Sequence, residues 1–286
     1  MQSTYFFTVL SMLFRVTTSI SVFFATLLNP IECLASEDIV TNPYRSDGFG
    51  AQMQTIICSA IYAEMNHKKF VYTPFINMEH NYNGDHEFLN KLEHMINLIN
   101  HFDVNKDIHF QLRGPDLGVY IQFFDAHLME CANSMVLKRM KRLFRGNKNR
   151  NDYFDYTRLN IAVHIRRPNP HDNRLDGANT PNDVYLDIIE KLRNQHSLEN
   201  PLFHIYSQGE EEDFQKIYQG DDILLHINTP LEKTFVPMVL ADILVCSRSS
   251  LSYSAALLSD GTIYYLPFWH PPLPSWNVIH ACNNRG

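Results

Sequence analysis

The feature that most restricts the fold of this 286-residue chain is the rhythm between Tyr156 and Leu266. Short apolar runs rich in β-branched residues alternate there with stretches whose apolar positions recur every three or four residues. Strands are expected at Leu159–Ile165, Leu202–Ser207, Ile223–Ile227, Ile243–Cys246 and Thr262–Leu266. Helices are expected between them at Pro181–Gln195, Glu211–Tyr218, Leu231–Leu240 and Ser250–Leu258, with Thr180 as N-cap of the first and Asp183 in its first turn. Such alternation argues a parallel, doubly wound α/β sheet, because each crossover helix returns the chain to begin the next strand in the same direction. The proline-rich segment Trp269–Trp276 should leave the sheet as an ordered, non-regular tail.

The first half is less regular. Ile39–Val40 and Lys69–Thr73 read as strands. Met53, Ile56, Ile57, Ala60 and Ile61 place an apolar face at helical spacing, and Asp47 is suited to cap that helix. Asp85–Leu98 reads as an amphipathic helix and Tyr120–Phe124 as a short strand. Asp125–Phe144 reads as one long helix with Leu128, Met129, Ala132, Met135, Val136, Met140 and Leu143 as its core stripe. Its end is basic, with Lys138, Arg139, Lys141, Arg142, Arg145, Lys148 and Arg150, and reads as a solvated helix end that suits the negative pole of the dipole. Gly146–Asp152 is polar and serves as the expected linker. The expected organisation is therefore a segment 1–36, an N-terminal α/β domain 37–154 and a C-terminal domain 155–286.

Bulk properties narrow the partners. A net charge of −7 removes the chain-wide basic footprint that nucleic-acid binding requires. Residues 1–35 hold one basic residue, Arg15, and one acidic residue, Glu32, around the uncharged run Val16–Leu28. That run is short for a membrane span, and Cys33-Leu34-Ala35 offers the small residues of a cleavage site. A cleaved signal peptide and a signal anchor are both compatible, so entry into the secretory pathway is expected, with membrane anchoring through this segment if it is retained. The cysteines Cys33, Cys58, Cys131, Cys246 and Cys282 are scattered without metal-ligand spacing. Cys58 and Cys246 read as buried free thiols, and a lumenal setting would permit a disulfide such as Cys131–Cys282.

The chemistry gathers at the ends of the expected strands. Leu159–Ile165 delivers His164, Arg166 and Arg167 to its C-terminal end, where ligands bind in open α/β sheets. Arginine suits phosphate because its planar fork donates two parallel, charge-assisted hydrogen bonds. Ser207-Gln208-Gly209 follows the second strand. Ser247-Arg248-Ser249-Ser250 follows the fourth and runs straight into a helix, combining hydroxyls, backbone N–H groups and a positive helix end in one phosphate seat. Asp47-Gly48-Phe49-Gly50 opens a helix in the first half in the same way. Together these groups point to a nucleotide or nucleotide sugar.

His164-Ile165-Arg166-Arg167 resembles the His-x-Arg-Arg signature of the α-1,2-, α-1,6- and protein O-fucosyltransferases. Phe203–Ser207 resembles their second motif, and Ala241–Ser252 the third, in which an acidic residue, here Asp242, starts a strand that ends in small hydroxyl residues. Asp47–Gln52 is similar to their Gly-x-Gly-Asn-Gln loop. The four stretches occur in the family order and span most of residues 46–258. The resemblance implies a GT-B fold, two Rossmann-like domains with parallel sheets facing across a cleft. It also implies GDP-fucose as donor, a glycan or glycoprotein acceptor, inversion at the anomeric carbon, and no cofactor or metal. The absence of Asp-x-Asp fits that last expectation.

By the family pattern Arg166 would bind the β-phosphate and neutralise the leaving GDP. Ser249 and Ser250 would hold pyrophosphate oxygens, and His164 would sit at the guanosine or ribose side. Gly48, Phe49, Gly50 and Gln52 would close over the donor from the other domain. Arg167, Ser207, Asp242 and Leu251 complete the expected donor-binding set, with Arg167 also suited to brace the loop that carries Asp172. Inversion calls for a base to take the acceptor's proton, and Asp172, with Asp176 as its neighbour, is the expected one. Ser46 and Ala51 depart from the first motif, and Ser207-Gln208-Gly209 lacks the acidic residue often used to read guanine. These departures bear on donor identity, so another nucleotide sugar, or binding without catalysis, stays open beside GDP-fucose.

Overall fold

A computed structural model of the chain describes residues 39–81, 84–105, 117–167 and 180–280. Val40–Gly286 forms one compact unit. Its described residues form two sheets, and every strand pairing with a described register is parallel.

The larger sheet comprises β4 (Leu159–His164), β5 (Pro201–Ser207), β6 (Ile223–Ile227), β7 (Ile243–Val245), β8 (Thr262–Tyr265) and β9 (Asn277–Val278), in the spatial order β6-β5-β4-β7-β8-β9. Counted from β4, that is the doubly wound order 3-2-1-4-5-6. Strand geometry sends alternate side chains to opposite faces. Ile161, Val163, Phe203 and Ile205 meet Tyr185, Ile188, Ile189 and Leu192 of α6 (Asn182–Gln195) and Phe214 of α7 (Glu211–Ile217). Ala162, Tyr206, Leu244 and Cys246 belong to the other core, with α8 (Leu231–Leu240) and α9 (Ser250–Leu258). Both faces are covered, which is why these strands read as continuous apolar runs. The tail after β8 is irregular as expected through Trp276, then returns as β9.

The smaller sheet, β1-β2-β3, uses Ile39–Thr41, Lys69–Tyr72 and Asp103–Val104. Between β1 and β2 runs α1 (Phe49–Met65), buried nearly all round. Next come α2 (Phe88–Ile96), α3 (Leu117–Ala126), α4 (Leu128–Asn133) and α5 (Met135–Arg145).

Several local expectations are corrected. Tyr120–Phe124 lies in helix α3, not a strand: Tyr120 and Phe124 are buried at i, i+4 spacing, and the Tyr62 ring of α1 stands 5.1 Å from Tyr120 and 4.9 Å from Phe123. The long helix is broken twice, at His127 and at Ser134, whose extended backbone (φ −52°, ψ 135°) makes it the N-cap of α5 and whose hydroxyl accepts from Leu137 N. Met140 is buried and Leu128, Ala132, Val136 and Leu143 pack against the core as expected, while Met129 and Met135 face solvent. Neither Asp47 nor Thr180 caps a helix. Gly48 and Pro181 stand at those positions, and the Asp47 carboxylate is held instead by Arg45. Cys58, Cys131 and Cys246 are buried free thiols, so Cys131 is not in the disulfide that the sequence permits; Cys282 lies outside the described residues.

The basic stretch is not simply solvated. Lys141 Nζ donates to Ser259 O at 2.6 Å and Asp260 at 3.2 Å. Arg145 pairs with Asp260 at 2.7 Å. Arg150 donates to Leu240 O at 3.2 Å and to Asp242 at 2.6 Å. These cations fasten α5 and the turn after it to the ends of α8 and α9. Lys138, Arg139 and Arg142 are exposed as that reading has it, although Arg139 also bonds His101 O and lies 4.4 Å from the Phe102 ring centroid.

Candidate active site

In the order β6-β5-β4-β7-β8-β9 the chain turns outward in opposite directions from β4 and β7. Ligands of open α/β sheets bind in the crevice beyond the strand ends at such a switch point. His164 ends β4, and Ser247 follows β7 by two residues. His164 Nδ1 and Ser247 Oγ are 2.8 Å apart. Both side chains are buried. Burial, and then the charge of neighbouring Arg166, push the His164 imidazole down to about 3. The ring is therefore neutral at physiological pH and serves as a hydrogen-bonding group, not as a cation.

The two arginines after β4 separate. Arg167 Nη1 donates to Thr180 O at 3.0 Å, and Nη2 bonds Asn182 Oδ1. The same Asn182 oxygen accepts from Tyr218 OH at 2.9 Å, and the Arg167 guanidinium lies 6.0 Å from the Tyr185 ring centroid. Arg167 thus joins the end of β4 to the start of α6. Arg166 lies half-buried beside His164, close enough for its charge to act on that ring.

Ser249 is the N-cap of α9, its hydroxyl accepting from Leu251 N at 3.2 Å. Ser252 Oγ donates to Ser247 O at 3.1 Å, which fixes the turn before the helix. The first N–H groups of any α-helix lack intrahelical acceptors, and with the dipole they favour an anion there. A second helix start meets this one. A Cβ built on Gly50 would stand 2.4 Å from Leu251 N and 2.5 Å from Leu251 Cα. Only glycine lets α1 approach α9 so closely. The α1 and α9 openings, far apart in sequence, therefore lie side by side.

Other expected residues are placed as follows. Phe49 packs its ring 4.9 Å from Phe235 of α8 in the core. Gln52 is buried, and its amide nitrogen donates to Asp47 O at 2.7 Å and Asn77 O at 2.9 Å, so it ties loop to loop. Ser207 donates to Ile165 O at 2.7 Å, joining the ends of β5 and β4. Asp242 is not brought to this end. It precedes β7 and binds Asn160 N at 2.8 Å and Arg150 at 2.6 Å. Asp172 and Asp176 lie outside the described residues, as does segment 1–36.

Two groups escape sequence reading. Ser254 donates to Gly50 O at 2.6 Å, and no local pattern announces a bond between residues so distant. His80 approaches Gly48 from the loop after β2; as an isolated histidine in a polar turn it carries no motif. A small cavity of about 10 Å³ beside Asn42, Arg45, Gln52 and Thr73 has room for one water, not a sugar ring. Among the described residues no group of three His, Cys, Asp or Glu side chains is placed to hold a metal ion. None of the described helices is long and apolar enough to cross a membrane.

No protein-family model matches the chain, and no curated protein does. Several solved structures are similar. Fucosyltransferase NodZ from Bradyrhizobium is 12% identical with a TM-score of 0.42, over 78% of this chain and 92% of that one. The NodZ α-1,6-fucosyltransferase soaked with GDP-fucose is 11% identical with a TM-score of 0.39, over 78% of this chain and 93% of that one. The E. coli heptosyltransferase WaaC with ADP-2-deoxy-2-fluoro heptose is 12% identical with a TM-score of 0.41, over 85% of this chain and 92% of that one.

Proposed function

We propose that this chain is a GT-B-like glycosyltransferase that uses a nucleoside-diphosphate sugar, GDP-fucose in the first instance, and transfers the sugar with inversion to a glycan or glycoprotein hydroxyl. One observation carries the reading: the capped start of α9, the neutral His164–Ser247 pair and Arg166 share the switch-point end of a parallel sheet, and the glycine-rich start of α1 abuts them. Breaking a sugar–phosphate bond builds negative charge on the departing diphosphate. Preorganised donors in a water-poor site stabilise such charge. In this reading Arg166 binds the diphosphate through its fork, and Ser249, Ser250 and the α9 N–H groups hold its oxygens. These groups do the electrostatic work that a divalent metal does elsewhere. His164 offers a fixed polar edge to the nucleoside, and Arg167 ties the end of β4 to the start of α6.

The test is turnover. The purified protein is incubated with GDP-fucose, other GDP-sugars, UDP-sugars and ADP-heptose, and released nucleotide is measured. Release from GDP-fucose well above the other donors supports the proposal. Preference for another donor keeps the transferase and changes the sugar. Nucleotide binding without release from any donor replaces the enzyme with a binding protein.

We carry segment 1–36 in the same proposal as a signal peptide or anchor that delivers the chain to the secretory pathway, toward the Golgi. A C-terminal Asn-x-Ser acceptor tag becomes glycosylated in cells if the chain is lumenal, and stays unmodified if it is not.

A further inference from the structure

The loop after β2 is clipped to the turn that opens α1. Gln52 Nε2 donates to both Asp47 O and Asn77 O, and Glu79 N donates to Asp47 O at 3.3 Å. At His80 the backbone turns left-handed, φ 74°. That region is costly for most side chains, although histidine, asparagine and aspartate enter it more readily than others. Such conformations gather at functional sites. The turn lays the imidazole against Gly48. A Cβ built on Gly48 would stand 3.0 Å from His80 Nε2 and 3.2 Å from Cδ2. The missing side chain at Gly48 therefore makes room for the ring. The imidazole stands at the mouth of α1, two residues from the glycine that abuts Leu251.

We propose that His80, in place of the Asp172 expected from the sequence, is the proton acceptor of the transfer reaction, an inference that rests on the transferase reading above. The acceptor hydroxyl oxygen bonds to the anomeric carbon while the bond from that carbon to the diphosphate oxygen breaks. The electron pair leaves on the nucleoside diphosphate, and the hydroxyl proton passes to the neutral imidazole. A histidine suits the step because its ordinary titration, near 6.5, lies close to physiological pH. Among the described contacts of the ring the charged one is Glu79, whose carboxylate is 3.9 Å from Nε2, and the Asp47–Arg45 pair lies on the turn to which this loop is clipped. Glu79 is placed to favour the imidazolium formed as the proton arrives.

The experiment uses hydrolysis of GDP-fucose, with water as nucleophile, so no glycan need be known. Hydrolysis is followed from pH 5 to 9 in the wild type, His80→Asn and His80→Gly. Both variants accept the left-handed backbone. GDP affinity is measured by calorimetry alongside. The wild-type rate should climb with pH as the imidazole loses its proton and then level off. His80→Asn should lose about 10²-fold in kcat and lose the acidic limb, with GDP affinity within twofold, and added imidazole should restore rate to His80→Gly. A wild-type profile retained in His80→Asn overturns the proposal. So does a rate that falls as pH rises together with weakened GDP binding in the variants, since that marks an imidazolium gripping phosphate. If the wild type releases nucleotide from no donor, the transferase reading falls and His80 falls with it. A working wild type with an unaffected variant removes His80 alone.

Discussion

Ser254 donates its hydroxyl proton to the carbonyl oxygen of Gly50 across 2.6 Å, one turn inside α9 and at the head of α1. The bond sets the two helix starts side by side, and the bare Cα of Gly50 permits it. Gly50→Ala places a methyl carbon 2.4 Å from Leu251 N and 2.6 Å from the Ser250 carbonyl carbon, both backbone atoms. A flexible side chain could swing aside, but a helix backbone cannot. Overpacking of this sort costs about 1–3 kcal/mol, read by urea denaturation. Nucleotide affinity should fall more than stability alone explains, because the methyl parts the two helix starts.

Arg166→Lys keeps the charge and loses the fork. Hydrolysis of GDP-fucose should drop about 10²- to 10³-fold, the range for removing one preorganised donor to developing charge. The melting temperature should stay close to wild type, since Arg166 is half-buried at a loop. Arg167→Lys should behave oppositely. It loosens Thr180 O and Asn182, so stability falls first and activity follows. Near-normal hydrolysis by Arg166→Lys removes this residue from the mechanism.

The parallel sheet was legible because its strands are buried on both faces and therefore read as short apolar runs, and their C-terminal polar residues could be grouped without coordinates. His164 and Ser247 were each visible, but their 2.8 Å bond depends on β4 and β7 being neighbours, a fact of strand order. Tyr120–Phe124 read as a strand because an aromatic-rich run suits either element, and packing against Tyr62 chose the helix. The basic stretch was misjudged for a related reason. Charge at a helix end looks solvated until the Asp242 and Asp260 carboxylates arrive from distant segments. Asp242 starts its strand as the matching stretch implies, and in a parallel sheet that puts it at the end away from His164, which motif order alone does not reveal.

That placement yields a separable outcome. Asp242→Ala leaves Asn160 N without its 2.8 Å acceptor and Arg150 without its carboxylate. An amide stripped of its partner at a buried residue costs about 1–3 kcal/mol. Because Asp242 sits at the strand's beginning, the affinity for GDP should be unchanged at a temperature where the variant is folded. Isothermal calorimetry decides this, and a tenfold loss of affinity would restore Asp242 to the donor site.

The buried histidines set the acid limit of the fold. Burial, reinforced by Arg166, lowers His164 to about 3. Burial, with smaller contributions from His226 and Arg158, lowers His204 to about 3. His204 bridges two strands, with Nδ1 3.1 Å from His226 Nε2 and Nε2 3.1 Å from Asn160 Oδ1. Asn160 donates through Nδ2 to Asp155 O and Arg158 O, so its Oδ1 accepts and His204 carries its proton on Nε2. His226 then donates to His204 Nδ1, which closes that nitrogen to a second proton. In the unfolded chain both rings take up a proton near pH 6.5, while in the folded chain they stay neutral until about pH 3. The unfolded state therefore binds more protons across this window, and stability is full above pH 6.5 and lost as pH falls toward 3. Each ring contributes a slope of up to about 1.4 kcal/mol per pH unit. Urea unfolding at pH 7.5, 6, 5 and 4 should show the decline, and His204→Gln, which cannot titrate, should make it shallower. A free energy that stays level from pH 7.5 to 4 would mean these rings are not held neutral.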